Sequence, residues 1–410
     1  MTKKHLLLIV LFLFVLAVSC KQLTEKIIPK GPNGDETLDG TIDGLSSVEK
    51  RQFLAGDAAF NREVFFSATG LGPYFVATSC GSCHATDGKG HPFTTLTRFG
   101  QSDTSGNTFL DRGAPQLQNR AIPGFTPEQI PAGATFAKFT PPANTGLGFI
   151  ESLTDAQILA NEDPTDLNGD GISGRANYVR APDYFLAQLY HQSKNGKYVG
   201  RFGKKGAAVD LEHQTVNAYN QDMGITSEYS PVEPAMNGLA FPYFDNIPDP
   251  EVASTTINNV VFYLRTLKAP IQRNPNDGDV LAGKQLFLDI KCASCHIPTW
   301  TTQQSRIPAL VNKTFHPYTD LLLHDMGPGL DDGYTEGTAL TYEWRTPALW
   351  GLGLSKRSQG GGYFLLHDGR ATSIQQAIEY HGGEAQQSKV QFSNLSNSDQ
   401  DKVIKFLESL

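Results

Sequence analysis

Cys80-Gly-Ser-Cys83-His84 recurs in the second half of the chain as Cys292-Ala-Ser-Cys295-His296. Within one turn of helix, residues i, i+3 and i+4 share a face, so the two thiols and the imidazole of each run point the same way. That face suits one flat macrocycle: two thioethers fix a porphyrin edge while His84 or His296 reaches the iron as proximal ligand. A zinc ribbon is the competing reading of paired Cys-x-x-Cys runs, but its pairs stand about 15–20 residues apart. Here they stand half a chain apart, each with its own histidine. The chain holds five cysteines, four of them in these motifs and the fifth at Cys20, so nothing is left for a disulfide framework. Two covalently bound haem c groups are the expected cofactors.

At the N-terminus, Lys3 and Lys4 precede an uncharged apolar run from Leu6 to Val18 that ends in Ala17-Val18-Ser19-Cys20. The run is shorter than the roughly 20 residues needed to span a bilayer, and its layout is that of an export signal with small residues at the cleavage site. Cys20 in that setting resembles a bacterial lipobox, in which the cysteine carries the lipid; an ordinary signal followed by a stray cysteine is the alternative. The expectation is a lipoprotein signal peptide over 1–19 and an exported protein, in the periplasm or at the cell surface, held to a membrane by a lipid anchor. Residues 20–45, with Gly31, Pro32, Gly34, Gly40 and Gly44, read as a flexible tether. The formal charge of −8 becomes more negative once Lys3 and Lys4 leave, and no Lys/Arg block remains, which argues against nucleic-acid binding.

The rest reads as mainly α, with 40 glycines and 24 prolines implying long irregular loops. Ser46-x-x-Glu49 is a capping box ahead of a helix reaching about Arg62. A second helical block starts at Asp249 as N-cap with Pro250 at the first helical position, continues through Val252, Ile257, Val260, Val261 and Leu264, and ends at Ala269-Pro270. A third runs from Val280 to Phe287 into the second cysteine motif. The two halves repeat loosely, with Ala55-Gly56 and Phe60 matching Ala282-Gly283 and Phe287. This predicts two cytochrome-c-like haem domains, 46–272 and 273–410, the first swollen by an insertion from about 90 to 248.

The sixth iron position separates a reactive haem from an electron-carrying one. Thr372-x-x-Gln375 reads as a capping box, Gly382-Gly383 as a stop, and Ile374, Ala377, Ile378 and His381 fall on one stripe. His381 is therefore a candidate iron ligand opposite His296, and Met326, in a Gly- and Pro-rich loop, is its rival; the residues alone leave both open. His91, close after His84, reads as a surface-loop residue. Asp166, Asn168 and Asp170, followed by Gly171, match the first half of a calcium loop. The twelfth position is Asn177 where a Glu is usual, so an Asx-rich turn competes with a calcium site.

Longer strings carry a resemblance: Tyr318-Thr-Asp-Leu-Leu-Leu-His-Asp-Met-Gly-Pro-Gly-Leu330, Glu343-Trp-Arg-Thr-Pro-Ala-Leu-Trp-Gly-Leu-Gly-Leu354, Leu366-His-Asp-Gly-Arg370, Arg201-Phe-Gly203 and Asp222-Met-Gly-Ile-Thr226. Together they resemble the di-haem oxidoreductase family of peroxidase-like proteins, which is similar in turn to bacterial di-haem cytochrome c peroxidases. The resemblance implies that the helix after His-Asp-Gly supplies the sixth ligand of the C-terminal haem. The relatives use Met or Tyr there, and this chain offers His381, giving a bis-histidine haem of lower potential than a His/Met pair. It further implies a reactive N-terminal haem fed through the second by an electron-donor protein or a small redox carrier. Glu151, among apolar neighbours, is a candidate acid/base with its carboxyl raised by burial; His213 and Gln214 are further candidates, and a structural role is the alternative for each. Arg345 and Arg370 are expected partners of haem propionates, and Trp344 and Trp350 are either packing aromatics or residues between the haems. A di-haem electron carrier without chemistry of its own is the other functional reading.

Overall fold

Ser46 opens the first helix as expected: its Oγ accepts from Glu49 N (3.3 Å) while Ser46 N donates to Glu49 Oε2 (2.7 Å). Helix α1 covers Ser47–Arg62. Helix α2, Leu211–Asn217, continues into a π-helical turn over Ala218–Asp222. Helices α3, Ser254–Thr266, and α4, Gly278–Asp289, follow, then the short α5, Ile374–Glu379, and α6, Asn397–Ser409. Two antiparallel pairs matter for the site. Strand β1, Leu96–Phe99, pairs with β2, Phe136–Phe139; β3, Leu323–Asp325, pairs with β4, Glu343–Arg345. The computed structural model describes residues 38–234 and 247–410. The export signal over 1–19, the lipidation site Cys20 and the start of the expected tether lie outside them. No helix among the described residues is long and apolar enough to cross a membrane.

The loose sequence repeat has a physical meaning. A Cβ on Gly56 of α1 would overlap the Asn259 carbonyl of α3, and one on Gly283 of α4 would overlap the Lys402 carbonyl of α6. Each glycine thus lets two helices cross backbone against backbone. One turn later, Phe60 stands 6.0 Å from the His84 ring and Phe287 stands 6.3 Å from the His296 ring. Both cysteine motifs form a helical turn closed by an i+4 bond, His84 N to Cys80 O and His296 N to Cys292 O, each 3.0 Å.

Four expectations are corrected. The tether does not reach residue 45, because Ile42 and Leu45 are buried against Ile307 and Leu310 and Thr41 bridges to Leu267. Helix α3 starts at Ser254, not Asp249, since the Asp249 and Glu251 carboxylates bind the Thr226 hydroxyl instead of capping. The cap of α5 is Ser373, one residue on, with Ser373 Oγ accepting from Gln376 N. The larger core joins Phe53, Phe60, Val260 and Tyr263 to Trp300, Phe315 and Trp350. The expected division at 272/273 therefore runs through a shared core, and residues 38–410 form one unit. A second core gathers Val280, Phe287, Tyr318, Ile374, Val403 and Phe406.

Gly56→Ala and Gly283→Ala are each expected to lower the unfolding free energy by about 2–3 kcal/mol, the range of overpacked contacts. Gly278→Ala, at a helix start where an added Cβ meets nothing within 4 Å, is expected to be neutral or slightly stabilising. Urea unfolding of the three variants checks the contrast.

Candidate functional site

Both cysteine motifs open onto one cavity of about 470 Å³ with walls from both cores. Cys80, Cys83, His84, Cys292, Cys295, His296 and His381 all line it, and none of the four motif thiols is in a disulfide. His296 Nδ1 meets the Tyr318 carbonyl at 2.9 Å and His381 Nδ1 meets the Ala377 carbonyl at 2.8 Å. A carbonyl accepts only from a protonated nitrogen, so these bonds place the proton on Nδ1 and leave each Nε2 lone pair free. The two rings share one part of the cavity, close enough for His381 to lower the pKa of His296. Burial pushes His296 down to about 4 and lowers His381 as well, so both are neutral, as a metal ligand must be. His84 Nδ1, buried and without a hydrogen bond, faces the Pro142 carbonyl, and burial pushes its pKa to about 4. Two thiols and a neutral imidazole on one face, twice over, are the donor set that a c-type haem takes.

Met326 also lines the cavity, but it packs against Phe139, Leu330, Tyr334 and Trp344. His91 lies outside the cavity lining, stacked on Phe93, with its Nδ1 accepting from Phe93 N at 3.2 Å.

Glu151 is not the acid/base that the sequence suggests. Its carboxylate accepts from Arg265 Nε (2.5 Å), Arg265 Nη2 (3.1 Å) and Leu211 N (2.8 Å), away from the cavity wall. Burial pushes its pKa up, but the Arg265 guanidinium outweighs it and the net shift is downward. A group held ionised in a structural ion pair is a poor proton donor. His213 is also off the wall, whereas Gln214 is on it. Of the carboxyls that line the cavity, Glu336 is paired with Arg98 and Glu384 with His324; the remaining one, Asp222, lies at the end of the π-turn after α2. Burial raises it to about 7 against the pull of Arg98, and its charge adds to burial in raising the thiols of Cys80 and Cys83.

Arg345 lines the cavity, bonded only to backbone: Nε to Gly203 O (3.0 Å) and Nη1 to Thr346 O (3.1 Å). Arg370, the other expected propionate partner, is spent elsewhere, on Asp368 (2.6 Å) and Asp332 (3.1 Å), and does not line the cavity. Trp344 and Trp350 are both wall residues. Trp344 stacks on His367 at 3.6 Å, carries the Lys205 ammonium 3.9 Å from its ring centroid, and donates Nε1–H to Leu330 O. His324 is held between Asp320 (2.8 Å) and Glu384 (2.7 Å), whose bonds outweigh burial and keep it protonated well above its ordinary range. Its neighbour Cys295 completes a cluster with ligand atoms within 4.8 Å, but a protonated imidazole has no lone pair for a metal.

The calcium reading loses its twelfth ligand. Asn177 is buried with its amide bound to the Lys205 and Glu336 carbonyls and its oxygen to Thr338. Asp166, Asn168 and Asp170 each accept from loop N–H groups as Asx turns do.

Residues 137–410 match the family model described as di-haem oxidoreductase, putative peroxidase. The chain belongs to this family. It is a di-haem oxidoreductase, and haem is the cofactor that membership implies. Among solved structures it is similar to a hydrazine synthase from Kuenenia stuttgartiensis, at 12% identity over 94% of this chain and 95% of that one, with a TM-score of 0.40. It is also similar to a MauG-like protein associated with microbial copper homeostasis, at 15% identity over 94% of each chain, with a TM-score of 0.39. No curated protein matches it.

Glu151→Ala is expected to cost this di-haem oxidoreductase about 3–5 kcal/mol, since it leaves Arg265 charged and buried without its partner. Glu151→Gln keeps the Leu211 bond and is expected to cost less. Because the carboxyl pKa is depressed in the folded state, the pair's contribution is present above the unfolded carboxyl pKa and lost as pH falls through the folded one. Denaturant titrations of both variants across acid pH check it.

Proposed function

We propose that this di-haem oxidoreductase works as a peroxidase-like enzyme at a haem attached to Cys80 and Cys83. A second haem, on Cys292 and Cys295, supplies it with electrons. The observation that carries this reading is the asymmetry of the cavity: beside Cys80 and Cys83 the wall offers a protonatable carboxyl, Asp222, while beside His296 it offers a second imidazole, His381. When bound, such haems supply an iron that engages peroxide oxygen at one site and a one-electron store at the other.

His84 and His296 would each hold one iron through Nε2. His381, oriented by the Ala377 carbonyl, would offer the second iron a neutral imidazole opposite His296. Asp222 takes a proton from the near oxygen of peroxide and returns it to the departing one, a task served best by a pKa near the working pH. The Gln214 amide also lines the cavity and would orient the bound oxygen. Haem attachment of this kind takes place on exported chains, which the N-terminal signal reading supplies; a lipid on Cys20 and an external electron donor complete the proposal.

Cyanide added to the oxidised protein is expected to convert one haem of the two, and His381→Ala is expected to make both convertible. Two low-spin haems indifferent to cyanide and peroxide would favour a plain electron carrier and sink the enzyme reading. Peroxide turnover limited by Asp222 as base climbs as pH rises through about 7, where its carboxyl ionises. Asp222→Asn is expected to abolish that limb and lower the rate by about 100-fold or more, the scale of general acid–base catalysis.

A further inference from the structure

Most cations in the cavity wall have partners. Arg98 pairs with Glu336 and Arg201 with Asp155. Lys205 is bound to the carbonyls of Leu340, Thr341 and Glu343. Lys89, Lys204 and Arg345 differ. Neither lysine ammonium makes a hydrogen bond or ion pair among the described residues, and Arg345 touches only carbonyl oxygens. The three are neighbours: Arg345 N donates to Lys204 O (3.1 Å), and Lys204 feels the charge of both Lys89 and Arg345. The carboxylate nearest to the lysines in effect, Asp368, is already engaged by Arg370.

The fold aims these groups deliberately. Residues 201–208 make a tight hairpin closed by the Phe202–Ala208 bridge, with Gly203 and Gly206 at φ +86° and +72°, values that favour glycine. At its tip Lys204 faces the cavity while Lys205 turns over Trp344. Burial brings Lys89 down to about 8 and Arg345 to about 10, and burial together with the charges of Lys89 and Arg345 pushes Lys204 well below its ordinary range. Three half-buried cations that share one cavity without a counter-ion repel one another, so the arrangement calls for anionic groups in the cavity itself.

Resting on the di-haem reading above, we infer that Lys89, Lys204 and Arg345 form a carboxylate-binding cradle between the two cysteine motifs, filled by haem propionates. Lys204 lies on the His84 side, where its charge acts on that imidazole. Arg345 reaches toward the second motif, where Asp320, a partner of His324, acts on it. Ammonium and guanidinium groups bind carboxylates as charge-assisted donors, and Arg adds a planar two-pronged fit. A cation beside a haem favours its reduced form, so removing the lysines disfavours reduction of the first haem.

The test is a spectroscopic redox titration of the mature holoprotein and of the Lys89→Met/Lys204→Met double variant, with covalent haem counted in each. The expected result is two haems per chain in both, a lower midpoint potential for the His84 haem in the variant, and the original potential restored in Lys89→Arg/Lys204→Arg. Unchanged potentials at unchanged haem content would overturn the cradle while leaving the di-haem reading intact. Wild-type protein without covalent haem would remove both. Should the Met variant fail to fold, single Lys204→Gln carries the same expectation. A second arm adds acetate to the wild type: an acetate-induced spectral change that disappears in the lysine variants would mean that the cradle takes an external carboxylate, and would overturn the propionate assignment.

Discussion

Two helices cannot cross at backbone contact unless the residue at the crossing lacks a side chain, and the rest of this molecule depends on that happening twice. Gly56 admits α3 against α1, and Gly283 admits α6 against α4. The close crossings set Phe60 and Phe287 against the imidazoles of His84 and His296, so each cysteine motif emerges at a defined place on the cavity wall. Wider crossings would move those walls apart. The helical turn that aligns Cys, Cys and His is local chemistry, but its position in space comes from the glycines.

The cavity's electrostatics follow from what each wall residue has left over after its structural bonds. His296 and His381 spend Nδ1 on carbonyls and keep Nε2 free. Lys205 and Arg201 spend their charge on the frame, whereas Lys89, Lys204 and Arg345 keep theirs for the interior. Asp222 retains a carboxyl that burial makes reluctant to ionise. Glu151 and Arg370 keep nothing, since each is fully matched within the fold. The same residue type thus serves structure or chemistry according to whether a partner reaches it first.

That difference also marks what could be read from the chain. The capping box at Ser46 and Glu49, the two Cys-x-x-Cys-His turns and the stripe ending at His381 are patterns within a few residues, and the folded chain carries each of them. Arg345 was legible through its setting in a long family-like string. Glu151 misled because its apolar neighbours suggested an isolated buried carboxyl, while its partner Arg265 is remote in sequence. Arg370 misled for the opposite reason, with Asp368 two residues away and able to claim it. Lys89, Lys204 and Asp222 carry no local mark beyond membership of motif-like strings; only the tertiary structure shows them facing one cavity. The calcium loop looked sound over its first six positions and fails at Asn177, whose amide is used by distant carbonyls.

The account stands on porphyrins bonded through carbon–sulfur links to Cys80, Cys83, Cys292 and Cys295. Intact-protein mass spectrometry, run under denaturing conditions on chain matured in an export-competent host with haem supply, reads this directly. The account predicts a polypeptide heavier by two haems that survive acid and organic solvent. A bare polypeptide mass, or a pigment that separates from the chain on denaturation, would contradict it.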